Sequence, residues 1–517
     1  MKGIISKASA FLLVMTLIIS LLPRTSAEAV YVGEERGSIT IRNVTAGNVL
    51  RGYKVIDITY DSVGDEVHYA WAGEDIADAI KETNDGVEVS IEEFNEMKEQ
   101  EKQKLLTCIP KILSGTPDLE VSTADDSETV IWTDVELGGY LIVPTNSTDV
   151  YQIMLAVVQP IRGTEDTNFY TDNVEIEAKK SPVSITKTIS SETTGLTKTV
   201  DYTLVFDVPD YAEGAVDKYF GISDKADEEL EINKDSIQIY GYDSRTSAEQ
   251  DDSNSKGTEY GSLVPDEPFK ELYKECDKLE SQTEEQDFAI EFDYDKIPAG
   301  VKAIKVTYTA KIKSNVVVGA DGLNNIADME YSCYPYTTDG EFRRREVKSA
   351  MQLVKTYRLE IIKVDTANKT KKLSGAEFDI YRKAEENETD MIVPTKDIPK
   401  QLESGNYVFV GHIGPTDENG MTSIDNLDLG TYYLVETKAP SGYTLPGKAF
   451  EILVTVDAGL NESTGVQTVT VENAEESIFN LPQTGDHGTI VFTIIGVILM
   501  LGAVIMFFVM RRREDSK

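Results

Sequence analysis

The sequence predicts a mainly β protein made of three tandem β-sandwich domains, the first with helical insertions. Three observations support this prediction. The chain has 517 residues, which suggests three or four domains at roughly 100–200 residues each. Stretches in which apolar and polar residues alternate recur along the chain, and this pattern is typical of half-buried strands. Finally, 25 Tyr accompany only 2 Trp within an aromatic share of 8%, a composition that suits β-rich domains.

The charge and the rare residue types exclude several classes of protein. Lys and Arg number 50 against 90 Asp and Glu, so the net charge is −40. Such a chain is a poor nucleic-acid partner, because phosphate contacts need basic patches. Its three Cys form no CxxC motif and give no disulfide framework, although the sequence leaves open whether Cys276 and Cys333 pair. With three His in the chain, we expect no metal and no cofactor.

Residues 1–29 have the pattern of a secretory signal peptide. Lys2 and Lys7 precede an apolar run at residues 8–22, and the small residues Ala27 and Ala29 follow it. The run is short for a membrane anchor and lies close to a small-residue cleavage site. We therefore expect export of the chain and cleavage after Ala29.

A second apolar run, residues 489–510, is long enough to cross a bilayer as a helix. Three arginines follow it at once, and the positive-inside rule assigns them to the cytoplasm. Three residues before the run lies the pentapeptide Leu481-Pro482-Gln483-Thr484-Gly485. This ordered arrangement resembles the cell-wall sorting signal of Gram-positive surface proteins. The resemblance implies that a sortase cleaves between Thr484 and Gly485.

The chain between these processing segments divides into three modules. Residues 30–178 join alternating strands to a helical stretch at about residues 74–113, and residues 179–356 form a second β-rich module. Residues 357–475 form the third, and residues 476–517 hold the sorting signal. The third module contains LSGAEF and GTYYLVETKAPSGY, which closely resemble the collagen-adhesin B-type, immunoglobulin-like repeats of Gram-positive surface proteins. The chain as a whole resembles the major, or backbone, pilins of sortase-assembled pili.

Alternation in the last two modules directs a lysine, an acid and an asparagine toward each core. The residues are Lys187, Asp224 and Asn325 in the middle module, and Lys363, Glu436 and Asn473 in the third. Burial lowers the pKa of a lysine and raises that of a carboxyl group. The resulting neutral amine can attack an asparagine side chain, with the acid as promoter. A buried ion pair with a hydrogen-bonded asparagine is the alternative.

The third set matches the residues of the self-formed isopeptide crosslink in the resembling family. The resemblance therefore implies an amide bond between Lys363 and Asn473, promoted by Glu436. We expect the same bond between Lys187 and Asn325, promoted by Asp224. Asn324 is the alternative acceptor there, since only the alternation favours Asn325. The first module offers no comparable set.

The resemblance also implies a lysine at the end of the first module that attacks the sortase-held threonine of another subunit. In the stretch NVEIEAKK at residues 173–180, Lys179 falls at that position. The Tyr-Pro and the Asn that flank the lysine in the family are absent. Lys180 is therefore the rival nucleophile, and an ordinary linker lysine is the structural alternative.

These features together predict a structural pilus subunit and not an enzyme. The expected partners are a pilus-specific sortase, identical subunits, ancillary pilins, peptidoglycan and a host surface ligand. A monomeric, wall-anchored adhesin shares every feature except the polymerisation lysine, and an ancillary pilin is a further alternative. A wall-anchored hydrolase is disfavoured by the few His and by the absence of GxSxG and HExxH motifs.

Overall fold

The computed structural model of the chain consists mainly of β-strands, which confirms the predicted fold class. Contacts divide it into two units, residues 1–355 and residues 356–517. The structure describes residues 36–476 and 496–506, except for residues 62–65, 114–115, 124–126, 163–168, 172, 213, 251–256, 263–271, 314–320, 339–342, 387, 389–391 and 394–396. The predicted signal peptide at residues 1–29 and the pentapeptide at residues 481–485 lie outside the described residues.

Residues 496–506 are helical and belong to the predicted membrane span at residues 489–510. Its other residues lie outside the described part of the chain. Among the described helices, none combines the length and the apolar character that a membrane crossing requires.

The first twelve strands of unit 1 precede residue 182 and form several small sheets. They are β1 (Arg36–Arg42), β2 (Val49–Asp61), β3 (Glu66–Trp71), β4 (Leu119–Ser122), β5 (Val130–Glu136), β6 (Gly138–Pro144), β7 (Val150–Tyr151), β8 (Met154–Val158), β9 (Pro160–Arg162), β10 (Phe169–Thr171), β11 (Asn173–Glu177) and β12 (Lys180–Ser181). One sheet has the order β3-β2-β6-β8, with β4 also paired to β2, and another has the order β11-β1-β5. Two-stranded pairs join β9 to β10 and β7 to β12.

The predicted helical insertion lies between β3 and β4 and is confirmed. It contains α1 (Glu74–Thr83), α2 (Ile91–Glu96), α3 (Glu99–Leu106) and a 3-10 turn at Ile109–Lys111. Helix α2 begins with a capping box, in which the Ser90 hydroxyl accepts from the Glu93 N–H and the Glu93 carboxylate accepts from the Ser90 N–H. These two bonds satisfy backbone donors that the first helical turn leaves free.

Residues 185–354 of unit 1 form a sandwich of two five-stranded antiparallel sheets. The strands are β13 (Ile185–Ile189), β14 (Val200–Asp207), β15 (Phe220–Ala226), β16 (Leu230–Tyr242), β17 (Thr258–Ser262), β18 (Tyr273–Cys276), β19 (Phe288–Phe292), β20 (Ala303–Ile312), β21 (Leu323–Tyr334) and β22 (Arg344–Val354), with helix α4 (Arg245–Gln250) after β16 and a 3-10 turn at Tyr294–Lys296. Sheet orders are β13-β14-β20-β16-β17 and β18-β19-β15-β21-β22.

The inner faces of these two sheets share one hydrophobic core. Phe206 and Val306 from one sheet and Ile222 and Met329 from the other belong to the same buried cluster. This cluster continues into the helical insertion and part of the first module, so both modules lie in unit 1. The boundary at residue 178 stays a prediction. All three cysteines are free thiols, so Cys276 and Cys333 do not form a disulfide.

Unit 2 is a second, smaller sandwich. Its strands are β23 (Tyr357–Asp365), β24 (Glu377–Lys383), β25 (Ile392–Val393), β26 (Tyr407–Ile413), β27 (Met421–Leu427), β28 (Gly430–Lys438), β29 (Phe450–Val454) and β30 (Val466–Asn473), with a 3-10 turn at Val456–Ala458. The sheet orders are β27-β23-β30 and β25-β26-β24-β28-β29. The first strand, β23, runs parallel to the last, β30. This parallel pairing brings residues from both ends of the unit into one core.

Candidate functional site

Three polar side chains meet inside the core of unit 2. Lys363 is on β23, Asn473 is on the neighbouring strand β30, and Glu436 is on β28 of the other sheet. The Lys363 Nζ lies 2.6 Å from Glu436 Oε2, and Asn473 Nδ2 donates to Glu436 Oε1 at 2.6 Å. The exposed fractions of the three residues are 0%, 2% and 2%. One carboxyl group therefore contacts both the amine and the amide nitrogen.

The alternation of β23 explains why a lysine lies in this core. Leu359, Ile361 and Lys363 are all buried, and they occupy every second position of the strand. The ammonium lies over two aromatic rings, 5.2 Å from the centroid of Phe378 and 4.9 Å from that of Phe450. These rings exclude water from the amine and leave Glu436 as its charged partner.

Burial shifts both ionisable groups of this cluster toward their neutral forms. Desolvation lowers the pKa of Lys363 and raises the pKa of Glu436, and their mutual attraction opposes both shifts. The Asn473 Nδ2 also donates to the carbonyl of Thr444 at 3.2 Å. Within the described residues, Asn473 Oδ1 is buried without a hydrogen-bond partner. The cluster thus holds an amine, an acid and an incompletely satisfied amide in contact.

The middle cluster has the same three residue types with a different arrangement. Lys187 on β13 faces Asp224 on β15, and its Nζ lies 2.7 Å from Asp224 Oδ2, with both side chains fully buried. Asn325, on β21 beside β15, does not hydrogen-bond to this acid in the structure. Its Nδ2 donates to the Tyr308 hydroxyl at 3.1 Å, and that hydroxyl donates to Asp224 Oδ2 at 2.7 Å. The tyrosine therefore connects the acid to the amide.

The structure distinguishes the two neighbouring asparagines of β21. Asn325 is fully buried and joins the cluster, whereas Asn324 is half-buried and its backbone N–H donates to Asp227 at 2.7 Å. The sequence did not predict Tyr308 as a member of this cluster, although Val306 and Tyr308 occupy alternate positions on the inner face of β20. That alternation marks Tyr308 as inward, but an inward tyrosine is ordinary in a β-rich core.

Burial also brings the two pKa values of the middle pair closer together. Desolvation lowers the pKa of Lys187 to about 8 and raises the pKa of Asp224 to about 6. The amine lies 5.2 Å from the ring centroid of Tyr202 and 5.8 Å from that of Tyr308. Asp224 Oδ1 and Asn325 Oδ1 have no hydrogen-bond partner among the described residues.

The first module has aliphatic residues where the clusters have polar ones. Its parallel strands β1 and β11 pair Ile39 with Val174 and Ile41 with Ile176. Both isoleucines of β1 are fully buried. This pair resembles β23 and β30 in direction but carries no lysine or asparagine in its core.

Lys179 and Lys180 both line a cavity of about 420 Å³ in unit 1. The Lys180 Nζ lies 3.3 Å from Asp149 Oδ2 and 3.3 Å from the Thr45 hydroxyl. Lys179 is half-buried and makes no salt bridge in the described part of the chain. Burial lowers the pKa of Lys179, and nearby Glu99 partly opposes that shift. The two lysines therefore differ among the described residues, where Lys180 forms a salt bridge to a carboxylate and Lys179 does not.

Two segments of the chain match known families. Residues 357–474 match the SpaA prealbumin-like fold domain, and residues 478–517 match the LPXTG cell wall anchor motif. The residues of the predicted sortase cleavage motif, Leu481, Pro482, Thr484 and Gly485, lie within the second match. The chain therefore carries a cell-wall anchor, which confirms the predicted location at the surface of a Gram-positive cell.

Relatives with curated names are surface and fimbrial proteins. The trypsin-resistant surface T6 protein of Streptococcus pyogenes serotype M6 is 24% identical over 65% of this chain and 70% of its own length. The fimbrial subunit type 1 of Actinomyces viscosus is 25% identical over 80% of this chain and 78% of its own.

Two solved structures share the fold. The T6 backbone pilin of S. pyogenes has a TM-score of 0.58 at 20% identity, covering 82% of this chain and 81% of its own. The full-length major pilin SpaD from Corynebacterium diphtheriae has a TM-score of 0.51 at 17% identity, covering 86% of this chain and 98% of its own. With the domain and anchor matches, these similarities confirm the resemblance to Gram-positive pilins.

Proposed function

We propose that this chain is the structural backbone subunit of a covalently polymerised surface pilus and does not act as a turnover enzyme. The observation that carries the proposal is the pair of buried Lys–acid–Asn clusters in a chain with a cell-wall anchor. The similarity to pilin and fimbrial subunits supports it. A shaft subunit bears tension, and the free cysteines of this chain contribute no disulfide to resist it.

In each cluster the lysine amine attacks the side-chain carbonyl carbon of the asparagine. A bond forms between Nζ and Cγ, the bond between Cγ and Nδ2 breaks, and ammonia leaves. The acid moves the proton that the amine loses toward the nitrogen that departs. Glu436 supports this role, since its two oxygens contact Lys363 Nζ and Asn473 Nδ2. Burial favours the neutral reactants, and the fold supplies their proximity.

The two proposed bonds reinforce different parts of the chain. A Lys363–Asn473 bond links the first and last strands of unit 2, which already pair in parallel. A Lys187–Asn325 bond links β13 of one sheet to β21 of the other. A pulling force on the chain would then act on covalent bonds instead of peeling strands apart.

Polymerisation joins the carbonyl of Thr484 in one subunit to a lysine amine in the next. Lys179 is the proposed nucleophile, because a salt bridge holds the Lys180 ammonium to Asp149. The cavity beside Lys179 offers room for the incoming peptide. A pilus-specific sortase performs the transfer, and the last subunit is attached to peptidoglycan. Ancillary pilins and a host surface ligand complete the proposed partners.

Coexpression of the chain with a pilus-type sortase tests this function directly. A ladder of covalent multimers on a denaturing gel supports a backbone subunit. A single wall-anchored band under the same conditions favours the second candidate, a monomeric adhesin that binds host matrix.

A further inference from the structure

We propose that Tyr308 is a catalytic residue of the middle cluster, where its hydroxyl carries a proton from Asp224 to the departing nitrogen of Asn325. This role rests on the proposed isopeptide bond between Lys187 and Asn325. Four side chains would then take part in the reaction of the middle cluster, whereas three take part in the cluster of unit 2.

The acids of the two clusters contact their partners differently. In unit 2, Glu436 uses one oxygen for Lys363 Nζ and the other for Asn473 Nδ2. In the middle cluster, the same oxygen of Asp224, Oδ2, accepts from both Lys187 Nζ and the Tyr308 hydroxyl. The other oxygen, Oδ1, has no partner among the described residues. Asp224 therefore reaches the amine but not the amide.

Tyr308 bridges the distance that the shorter acid leaves. Aspartate has one methylene fewer than glutamate, and a phenolic hydroxyl can donate and accept at once. The Tyr308 hydroxyl accepts from Asn325 Nδ2 at 3.1 Å and donates to Asp224 Oδ2 at 2.7 Å. Hydrogen bonds thus connect the amide nitrogen, the hydroxyl, the carboxyl group and the amine without a break. The hydroxyl occupies the role that Glu436 Oε1 fills in unit 2.

The ring of Tyr308 is held firmly in this position. It is 2% exposed, and it stacks on Tyr202 of the neighbouring strand with centroids 5.3 Å apart and planes 10° from parallel. Phe288 packs against it in a T-shaped arrangement, also with centroids 5.3 Å apart. A hydroxyl whose ring is fixed on two sides loses little freedom when it transfers a proton.

The proposed step conserves atoms and charge. The neutral amine of Lys187 attacks Cγ of Asn325, and the Nδ2 of the tetrahedral intermediate becomes basic. Because Asp224 is protonated and Nδ2 now accepts, both hydrogen bonds of the Tyr308 hydroxyl reverse, so that Tyr308 gives its proton to Nδ2 and takes one from Asp224. The carboxylate of Asp224 then receives the surplus proton of Nζ. Ammonia leaves, and Tyr308 and Asp224 end in the states in which they began.

The test is the rate of bond formation in the Tyr308→Phe variant of the mature chain, residues 30–484. This substitution keeps the ring and its stacking but removes the hydroxyl. Samples taken after a short induction are denatured, and their intact mass and peptide map report each bond separately. We expect the Lys187–Asn325 bond to form about 100-fold more slowly, a typical contribution of general acid catalysis. The Lys363–Asn473 bond should form at its normal rate.

The matched control is Tyr334→Phe. Tyr334 lies on β21, and its buried hydroxyl has no hydrogen-bond partner in the described structure. This variant should form both bonds normally. A second variant, Asp224→Glu combined with Tyr308→Phe, supplies an acid long enough to reach the amide. It should restore much of the lost rate, and trypsin resistance checks that every variant is folded.

Three results would overturn the role of Tyr308. The first is a wild-type rate in Tyr308→Phe, and the second is equal slowing in Tyr334→Phe. The third is a folded double variant with no recovery of the bond, which would indicate packing instead of proton transfer. A wild-type chain without the Lys187–Asn325 bond would refute the proposed crosslink itself, and this result is distinct because it precedes any substitution.

Discussion

Asn473 on β30 lies opposite Asp365 on the adjacent parallel strand β23. Lys363 precedes Asp365 by two residues on β23, so the side chains of Asn473 and Lys363 share one core. These strands are the first and the last of unit 2. A bond between Lys363 and Asn473 would therefore close a loop that contains nearly the whole unit. The same two strands would receive any force that passes along the chain through unit 2.

Asn473→Ala should lower the stability of unit 2 by about 4–5 kcal/mol, because a crosslink across a loop of roughly 100 residues restricts the unfolded chain by that amount. Thermal and denaturant unfolding of the mature chain measure the loss. The control is Asn419→Ala, which truncates an exposed turn residue and should leave stability unchanged. Equal stability of the two variants would contradict a covalent role for Asn473.

Glu436→Ala should prevent the crosslink in unit 2 while leaving Lys363 and Asn473 in place. The amine then lacks the carboxyl group that lies 2.6 Å from it, and it makes no other salt bridge among the described residues. Compared with the mass calculated from its own sequence, the variant should lack one ammonia fewer than the wild type does. Glu475→Ala removes an acid of the same unit that pairs with Lys371 at the surface, and this control should retain the bond.

Lys179→Ala should abolish the high-molecular-weight ladder on denaturing gels without reducing secretion of the monomer. Lys180→Ala should keep the ladder, because its ammonium is engaged by Asp149 in the structure. Both variants are to be compared in cells that express the pilus-specific sortase. A ladder that survives Lys179→Ala and disappears in Lys180→Ala would transfer the role to Lys180.

The rate of the middle crosslink should have a bell-shaped dependence on pH with a plateau between about 6 and about 8. Burial raises the pKa of Asp224 to about 6 and lowers that of Lys187 to about 8, so the pair shares one proton in this window. Below it, both groups are protonated and the amine cannot attack. Above it, both have lost their protons and no acid remains.

Cell-free synthesis, a denaturant quench and refolding at set pH values allow this rate to be followed by mass. Asp224→Asn is the control, since without a titrating acid it should form no middle bond at any pH. A wild-type rate that rises steadily up to pH 10 would contradict the requirement for a protonated acid.

Period-2 alternation is a local property of a strand, and it was enough to predict that Lys187 and Lys363 face inward. It could not show which inward groups meet across two sheets. The link from Asp224 to Asn325 through Tyr308 depends on the packing of β20 against β15 and β21. The sequence pattern of a single strand carries no information about that packing. Likewise, the sequence left Lys180 as a rival to Lys179, because it could not show that Asp149 approaches the ammonium of Lys180.

The measurement that tests the central claim most directly is the intact mass of denatured recombinant 30–484, produced without sortase. Self-formed bonds in both clusters predict a mass lower than the sequence value by two ammonia molecules. Peptide mapping should then identify one crosslinked peptide that joins Lys187 to Asn325 and another that joins Lys363 to Asn473. An undiminished mass would contradict the account and would leave two buried ion pairs in place of crosslinks.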